Sequence, residues 1–254
     1  MRPNRVKQAL AAGQVQVGTQ LAQLRNPEVV RALGAAGLHW IFIDTEHGGM
    51  GIESVQDITR ACLQSNISPI VRVADLQYSL VARALDCGAQ GIIFPRVESP
   101  ELLAKAVSWM KFPPAGIRGF GLGPAHIEWH FAGIPAVIEH ANEHTLTVLQ
   151  IETQLAFERR EELLTVPGID VVLVGPADLS ISLGIPGQFE NPKLIETIEA
   201  IRDACIAKGI VPGIHLRNLA LAKFWRERGM LFLSASSEVS MLYERASEQV
   251  KALS

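Results

Sequence analysis

A closed α/β barrel of parallel strands and surrounding helices is the fold class this sequence predicts, and three observations point to it. Eight short apolar runs recur at spacings that leave room for a helix between them. Most runs stop at a polar or charged residue: Trp40-Ile41-Phe42-Ile43 at Asp44, Ile70-Val71 at Arg72, Val148-Leu149-Gln150-Ile151 at Glu152, Ile214 at His215. The first run ends in Gly18-Thr19-Gln20-Leu21, unlike the glycine-rich dinucleotide turn expected of the rival, an open doubly wound sheet.

Apolar runs buried on both sides read as parallel strands. They fall at 14–20, 40–44, 69–72, 91–95, 147–152, 171–175, 211–215 and 231–234. Helical patterns lie between them. Asn26 caps one, with Pro27 at its first position, and that helix stops at Gly34 or Gly37. Apolar residues at helical spacing span 76–87 and close on Gly88. Further helices are predicted at 100–110 with Ser99 as N-cap, and at 155–166, 192–208, 219–229 and 239–253. The segment 112–145 is long and irregular, follows the fourth strand, and is expected to lie over the barrel mouth. No interdomain linker interrupts the pattern, so 1–254 reads as one barrel domain.

Bulk properties exclude several classes. A net charge of −3 with no basic stripe argues against nucleic acid. The apolar stretches are too short to cross a bilayer, and the N-terminus lacks a signal-like apolar core. Three scattered cysteines, Cys62, Cys87 and Cys205, suit a reducing cytoplasm better than a disulfide or zinc framework.

Active sites of parallel barrels gather at strand C-termini. Glu152 and Asp178 follow consecutive strands, about 5 Å apart in such a barrel, and two convergent carboxylates suit a Mg²⁺- or Mn²⁺-type ion. Asp178 also reads as the N-cap of the next helix; Glu152 is a poor N-cap. Arg72 can hold a carboxylate or a developing enolate oxygen, or form a structural ion pair with Asp44 or Asp86. In Asp44-Thr45-Glu46-His47 a histidine that can move protons stands beside carboxylates that can orient it, and Glu46 is a second possible ligand or helper. Gly48-Gly49 lets the backbone bend past it. The Gly175-Pro176-Ala177-Asp178 turn offers N–H groups to a substrate carboxylate. No lysine stands at the C-terminal end of a predicted strand, which disfavours Schiff-base chemistry.

These residues resemble the metal-dependent class II pyruvate aldolases of the HpcH/HpaI family over nearly the whole chain. The matching stretches are Ile43-Asp44-Thr45-Glu46-His47, Pro69-Ile70-Val71-Arg72-Val73, Leu85-Asp86-Cys87-Gly88, Pro113-Pro114-Ala115-Gly116-Ile117-Arg118-Gly119, Gln150-Ile151-Glu152-Thr153 and Gly175-Pro176-Ala177-Asp178-Leu179-Ser180. The resemblance implies a (β/α)8 TIM barrel of the phosphoenolpyruvate/pyruvate type. It implies a divalent cation (Mg²⁺, Mn²⁺ or Co²⁺) on Glu152 and Asp178, and substrate bound by Arg72, Gln150, Gly175, Pro176, Ala177 and Asp178. His47 and Asp44 would form a proton relay working partly through water, and Asp86 would support the site from a neighbouring subunit or from behind. The expected reaction is reversible cleavage of a 4-hydroxy-2-oxo acid to pyruvate or hydroxypyruvate and an aldehyde, through a metal-stabilised enolate. The expected assembly is a homohexamer, a trimer of dimers exchanging the last helix, 239–253. An acyl-CoA lyase of the citrate-lyase-β or malyl-CoA type is the nearest alternative, and a non-catalytic oxo-acid-binding barrel the second. The chain departs from the family pattern at Arg96, in the region 18–24, which lacks the tryptophan of some relatives, and in the stretch 120–131 with His126, Trp129 and His130.

Overall fold

The computed structural model describes residues 1–121 and 132–254. Eight parallel strands close into a barrel in sequence order: β1 (Gln16–Leu21), β2 (Trp40–Asp44), β3 (Ser68–Arg72), β4 (Gly91–Phe94), β5 (Leu146–Ile151), β6 (Val171–Val174), β7 (Val211–Leu216) and β8 (Phe232–Ser237). The helices are α1 (Arg5–Ala11), α2 (Pro27–Ala35), α3 (Ile52–Gln64), α4 (Tyr78–Asp86), α5 (Pro100–Ser108), α6 (Ile134–His144), α7 (Gln154–Glu158), α8 (Arg160–Leu163), α9 (Pro176–Ser182), α10 (Pro192–Ala207), α11 (Leu219–Glu227) and α12 (Glu238–Leu253). Every predicted strand is present. Among the described residues no helix is long and apolar enough to cross a membrane, and all three cysteines are free and buried.

Strand side chains alternate between two cores. Ile41, Ile43, Val71, Ile92, Leu149, Ile151, Val172, Val174 and Ile214 face outward and pack with the helices. Trp40, Phe42, Ile70, Ile93, Leu146, Val148, Val171, Leu173 and Phe232 face inward and fill the barrel. Val6 and Leu10 of α1 join that inner cluster and plug the N-terminal end. Asn4 caps α1 by accepting from the Lys7 N–H at 3.0 Å, and it donates to Gln90 O at 2.9 Å. The same alternation dictates what points inward at the other end: Gln20, Asp44, Arg72, Gln150, Glu152, Gly175, His215 and Ser234.

Capping follows the local sequence. Asn26 accepts from the Glu28 N–H and Ser99 from the Leu102 N–H, as expected of both. Four expectations are corrected. The segment 112–145 is not irregular throughout, because it contains α6. Its described beginning does not lie over the barrel mouth. Phe112 bonds Asn142, Arg118 pairs with Asp86 at the end of α4, and Gly119 N–H donates to the Tyr78 hydroxyl, which runs the chain along α4. His126, Trp129 and His130 lie outside the described residues. The predicted helix 155–166 is two short helices meeting at Arg159, which ends one and begins the other. Asp178 is not an N-cap: Gly175 holds that position, and Asp178 sits in the first turn of α9, where no side chain caps the helix.

Candidate active site

Register brings the first pair together. Asp44 and Arg72 are partners across β2 and β3, and both point into the barrel. The guanidinium grips the carboxylate with two bonds, Nε to Oδ1 at 3.0 Å and Nη2 to Oδ2 at 2.7 Å. Gln20 Nε2 donates to the same Oδ2 at 2.7 Å. The backbone N–H groups of Glu46 and His47 donate to Oδ1 at 3.0 and 3.3 Å. Burial alone would raise the Asp44 pKa, but Arg72 and these N–H groups outweigh it and hold the carboxyl below its usual range. Asp44 is therefore a fixed anion that aims Arg72. The third guanidinium nitrogen, Nη1, has no hydrogen bond among the described residues.

The loop after β2 folds tightly. A Cβ on Gly48 would sit 2.5 Å from Ala22 O and Asp44 O, so only glycine lets the chain pass there. Glu46 turns back toward Arg72, Oε2 to Nε at 3.2 Å. Burial raises the Glu46 pKa, with Arg72 opposing. The His47 side chain is 59% exposed, and Nε2 lies 3.8 Å from Glu46 Oε1. The nearest carboxylate to the imidazole is thus Glu46; Asp44 meets His47 through its backbone.

Two strands round from Arg72 stands Glu152, just after β5 and only 3% exposed. Oε1 accepts from the Arg96 N–H at 2.9 Å, and Oε2 accepts from Gln150 Nε2. Arg96 carries a left-handed φ of 54°. That backbone strain, uncommon for a side chain of this size, aims its N–H at Glu152, which gives the unassigned Arg96 a physical role. A Cβ on Gly175 would meet Glu152 Oε2 and Gln150 Nε2, each at 3.0 Å. Burial first, then the charge of Asp178, pushes the Glu152 pKa up to about 7. Two acidic groups that repel one another, one in a buried cradle and one exposed on α9, fit a hard divalent cation, whose charge would offset both penalties. Gln150, whose Nε2 bonds Glu152, has its Oε1 buried without a hydrogen bond. Among the described residues no group of three or more His, Cys, Asp or Glu could hold a metal. A cation here would rest on two carboxylates and leave its other positions to water or substrate, as an open catalytic site requires.

Asp86 stands apart from this cluster. It lies at the end of α4, 40% exposed, and pairs with the buried Arg118 at 2.7 Å. Two inward residues carry no role in the sequence reading: His215 on β7, whose Nδ1 is 2.8 Å from Ser234 Oγ on β8, and Gln20 on β1. The alternation of each strand, counted back from its apolar inner residues, is the signal that finds them.

The chain and its fold are similar to those of known proteins. The family model described as HpcH/HpaI aldolase/citrate lyase matches residues 21–244. The chain is 35% identical over 240 residues to a 4-hydroxy-2-oxo-heptane-1,7-dioate aldolase of Salmonella dublin, covering 94% of this chain and 90% of that one. It is similar to the crystal structure of an HpcH/HpaI aldolase from Desulfitobacterium hafniense DCB-2, with a TM-score of 0.92 and 33% identity, covering 97% of this chain and 95% of that chain. It is also similar to a family member from Burkholderia cenocepacia J2315, at 0.90 and 30%, covering 98% and 99%. With the barrel, the Glu152 cradle and the aimed arginine in one frame, these likenesses assign the chain: it is an enzyme of the HpcH/HpaI aldolase/citrate lyase family.

Proposed function

We propose that this enzyme is a divalent-metal-dependent aldolase that reversibly cleaves 4-hydroxy-2-oxo acids to pyruvate, or hydroxypyruvate, and an aldehyde. The observation that carries the reading is a buried Glu152 on which Asp178 and Arg72 both act electrostatically, with Arg72 held by Asp44 and its Nη1 unspent. Mg²⁺, Mn²⁺ or Co²⁺ held by Glu152 and Asp178 would supply Lewis-acid polarisation of the 2-oxo group.

The protein's own groups do the rest. Arg72, clamped by Asp44, holds the oxygen on which negative charge develops as the C3–C4 bond breaks. Because the guanidinium is fixed before substrate arrives, little reorganisation is needed. The first-turn N–H groups of α9, at Ala177 and Asp178, with Gly175 and Pro176 shaping the approach, receive the substrate carboxylate. Gln150 orients Glu152 and borders the substrate. His47 takes the proton from the 4-hydroxyl, directly or through ordered water, and Glu46 lies beside its ring. Asp44 supports that step by holding the loop through the Glu46 and His47 amides.

We also read the working form as a cytoplasmic homohexamer, a trimer of dimers exchanging α12, in which Asp86 supports a neighbouring subunit's site. In support, α12 buries only Glu238 on its own barrel, while Leu242, Tyr243, Val250 and Leu253 are 61%, 72%, 66% and 90% exposed.

Cleavage of 4-hydroxy-2-oxo acids, measured with and without EDTA, tests the reading. Chelation should abolish activity and Mn²⁺ should restore it. Glu152→Ala and Asp178→Ala should lose metal and activity together, and Arg72→Ala activity alone. His47→Ala should slow turnover more than it weakens pyruvate binding. Full activity after EDTA treatment would overturn the metal chemistry. Cleavage of citramalyl- or malyl-CoA in place of the free oxo acid would move the assignment to the acyl-CoA lyases.

A further inference from the structure

The proposed reaction uses the arc of the inner ring from β2 to β6. The remaining arc, on β7, β8 and β1, carries His215, Ser234 and Gln20. In the layer below, Phe232 on β8 lies in an apolar barrel interior shared with Phe42 on β2 and Leu173 on β6. Polar side chains at such positions cost stability unless paired, so each one present needs a partner or a use. Gln20 has its partner in Asp44. His215 and Ser234 are register partners on neighbouring strands and meet at 2.8 Å.

That contact orients the ring. His215 stands edge-on to Phe42 at 5.4 Å between centroids, and the Arg72 guanidinium covers the same phenyl ring at 4.9 Å. Phe42 is thus a shared floor for Arg72 and His215. With Nδ1 committed to Ser234, Nε2 on the far side of the ring has no hydrogen-bond partner among the described residues. Burial, with the charges of Arg72 and Arg217 adding to it and Asp44 opposing, lowers the His215 pKa to about 4. The imidazole is therefore neutral at pH 7. A neutral ring offers one directional hydrogen bond through Nε2, as donor or acceptor according to its tautomer. Such a group suits a neutral hydroxyl, because an anionic substituent is better served by the adjacent guanidinium.

We propose that His215, oriented by Ser234, is a specificity-determining residue whose Nε2 hydrogen-bonds a hydroxyl carried beside the reacting carbons of the substrate. The inference rests on the aldolase reading and deepens it. The hydroxyl has two chemical sources, C3 of a hydroxylated pyruvate or the carbon next to the carbonyl of the acceptor aldehyde.

The experiment crosses pyruvate and hydroxypyruvate with acetaldehyde and glycolaldehyde, and compares kcat/KM in the wild type, His215→Leu, His215→Gln and Ser234→Ala. Dissociation constants of pyruvate and hydroxypyruvate in the presence of Mn²⁺, by calorimetry, provide a readout independent of turnover. The wild type should prefer hydroxylated substrates. His215→Leu should lower the hydroxylated-to-unsubstituted ratio about tenfold, the value of one net hydrogen bond. His215→Gln should recover part of it, and Ser234→Ala should lower the same ratio. Loss of the oxo-acid ratio, in turnover and in binding, assigns the hydroxyl to the nucleophile; loss of the aldehyde ratio alone assigns it to the acceptor. If His215→Leu does not fold, the ratio in Ser234→Ala decides. An unchanged ratio, an equal fall for all substrates, or a wild type indifferent to the hydroxyl overturns the proposal. Exchange of pyruvate C3 protons in D₂O separates the two failures. A wild type that exchanges them but ignores the hydroxyl sinks this inference alone, and one that exchanges nothing sinks the aldolase reading and this inference with it.

Discussion

Glu238, the first residue of the last helix, shows how one buried carboxylate can organise a strand end. Its Oε1 accepts three consecutive backbone N–H groups, from Ala22, Gln23 and Leu24, at 3.0, 2.6 and 3.0 Å. Those amides follow directly on Gln20 and β1, so the carboxylate sets the loop that brings Gln20 against Asp44. Glu238→Ala is expected to cost about 2 kcal/mol of stability, the scale of hydrogen bonds to a charged group, and to lower kcat through Gln20. Urea unfolding and steady-state kinetics check the two parts. Gly175 is the second position where a single atom decides. An alanine methyl there would press on Glu152 and Gln150 at 3.0 Å. Gly175→Ala should weaken Mn²⁺ binding and cut activity at least about tenfold, the effect of losing one well-placed interaction, with the thermal unfolding midpoint nearly unchanged. Fluorescence-monitored Mn²⁺ titration and a thermal melt separate these outcomes.

At the scale of elements, legibility follows how much of each face is buried. The strands carry continuous apolar runs because helices cover one side and barrel contents the other, so seven were readable to within a residue or two, while β8 runs three residues past its predicted end through the half-buried 235–237. α6 buries only Val137, and with so little periodic signal its sequence passes for a loop. α3 was also absent from the predicted helices, for a different reason: Val55, Ile58, Ala61 and Cys62 are buried at helical spacing, so the pattern was present in the sequence and went uncounted. α12 raises the opposite question, since it has sixteen residues and buries only Glu238 against its own barrel. Apolar residues so exposed call for a covering surface. Leu242→Glu combined with Tyr243→Glu should break the assembly into smaller species and lower activity with it, as light scattering after size exclusion would show. A wild type that runs as a monomer would remove the case for exchange.

For the molecule as a whole, the buried neutral His215 makes stability depend on pH in a stated direction. Its folded pKa of about 4 lies below the ordinary histidine value of 6.5. Between those values the unfolded chain binds more protons than the folded one, so this contribution is complete above pH 6.5 and is lost as pH falls toward 4. The melting temperature should drop across that window, and less steeply in His215→Gln. The sequence by itself determined the barrel, the order of its strands, and the acids, arginine and histidine that stand at strand ends, because strand periodicity and the polar residue closing each run are local properties of the chain. Only tertiary structure decided what those residues do to one another. Asp44 spends both oxygens on Arg72, Gln20 and backbone amides, Arg96 bends to cap Glu152, and His47 turns to Glu46. Outside the tight turn 44–47, each contact joins segments brought together by closing the barrel, and distances across a closed ring depend on register and packing that no local stretch of sequence contains.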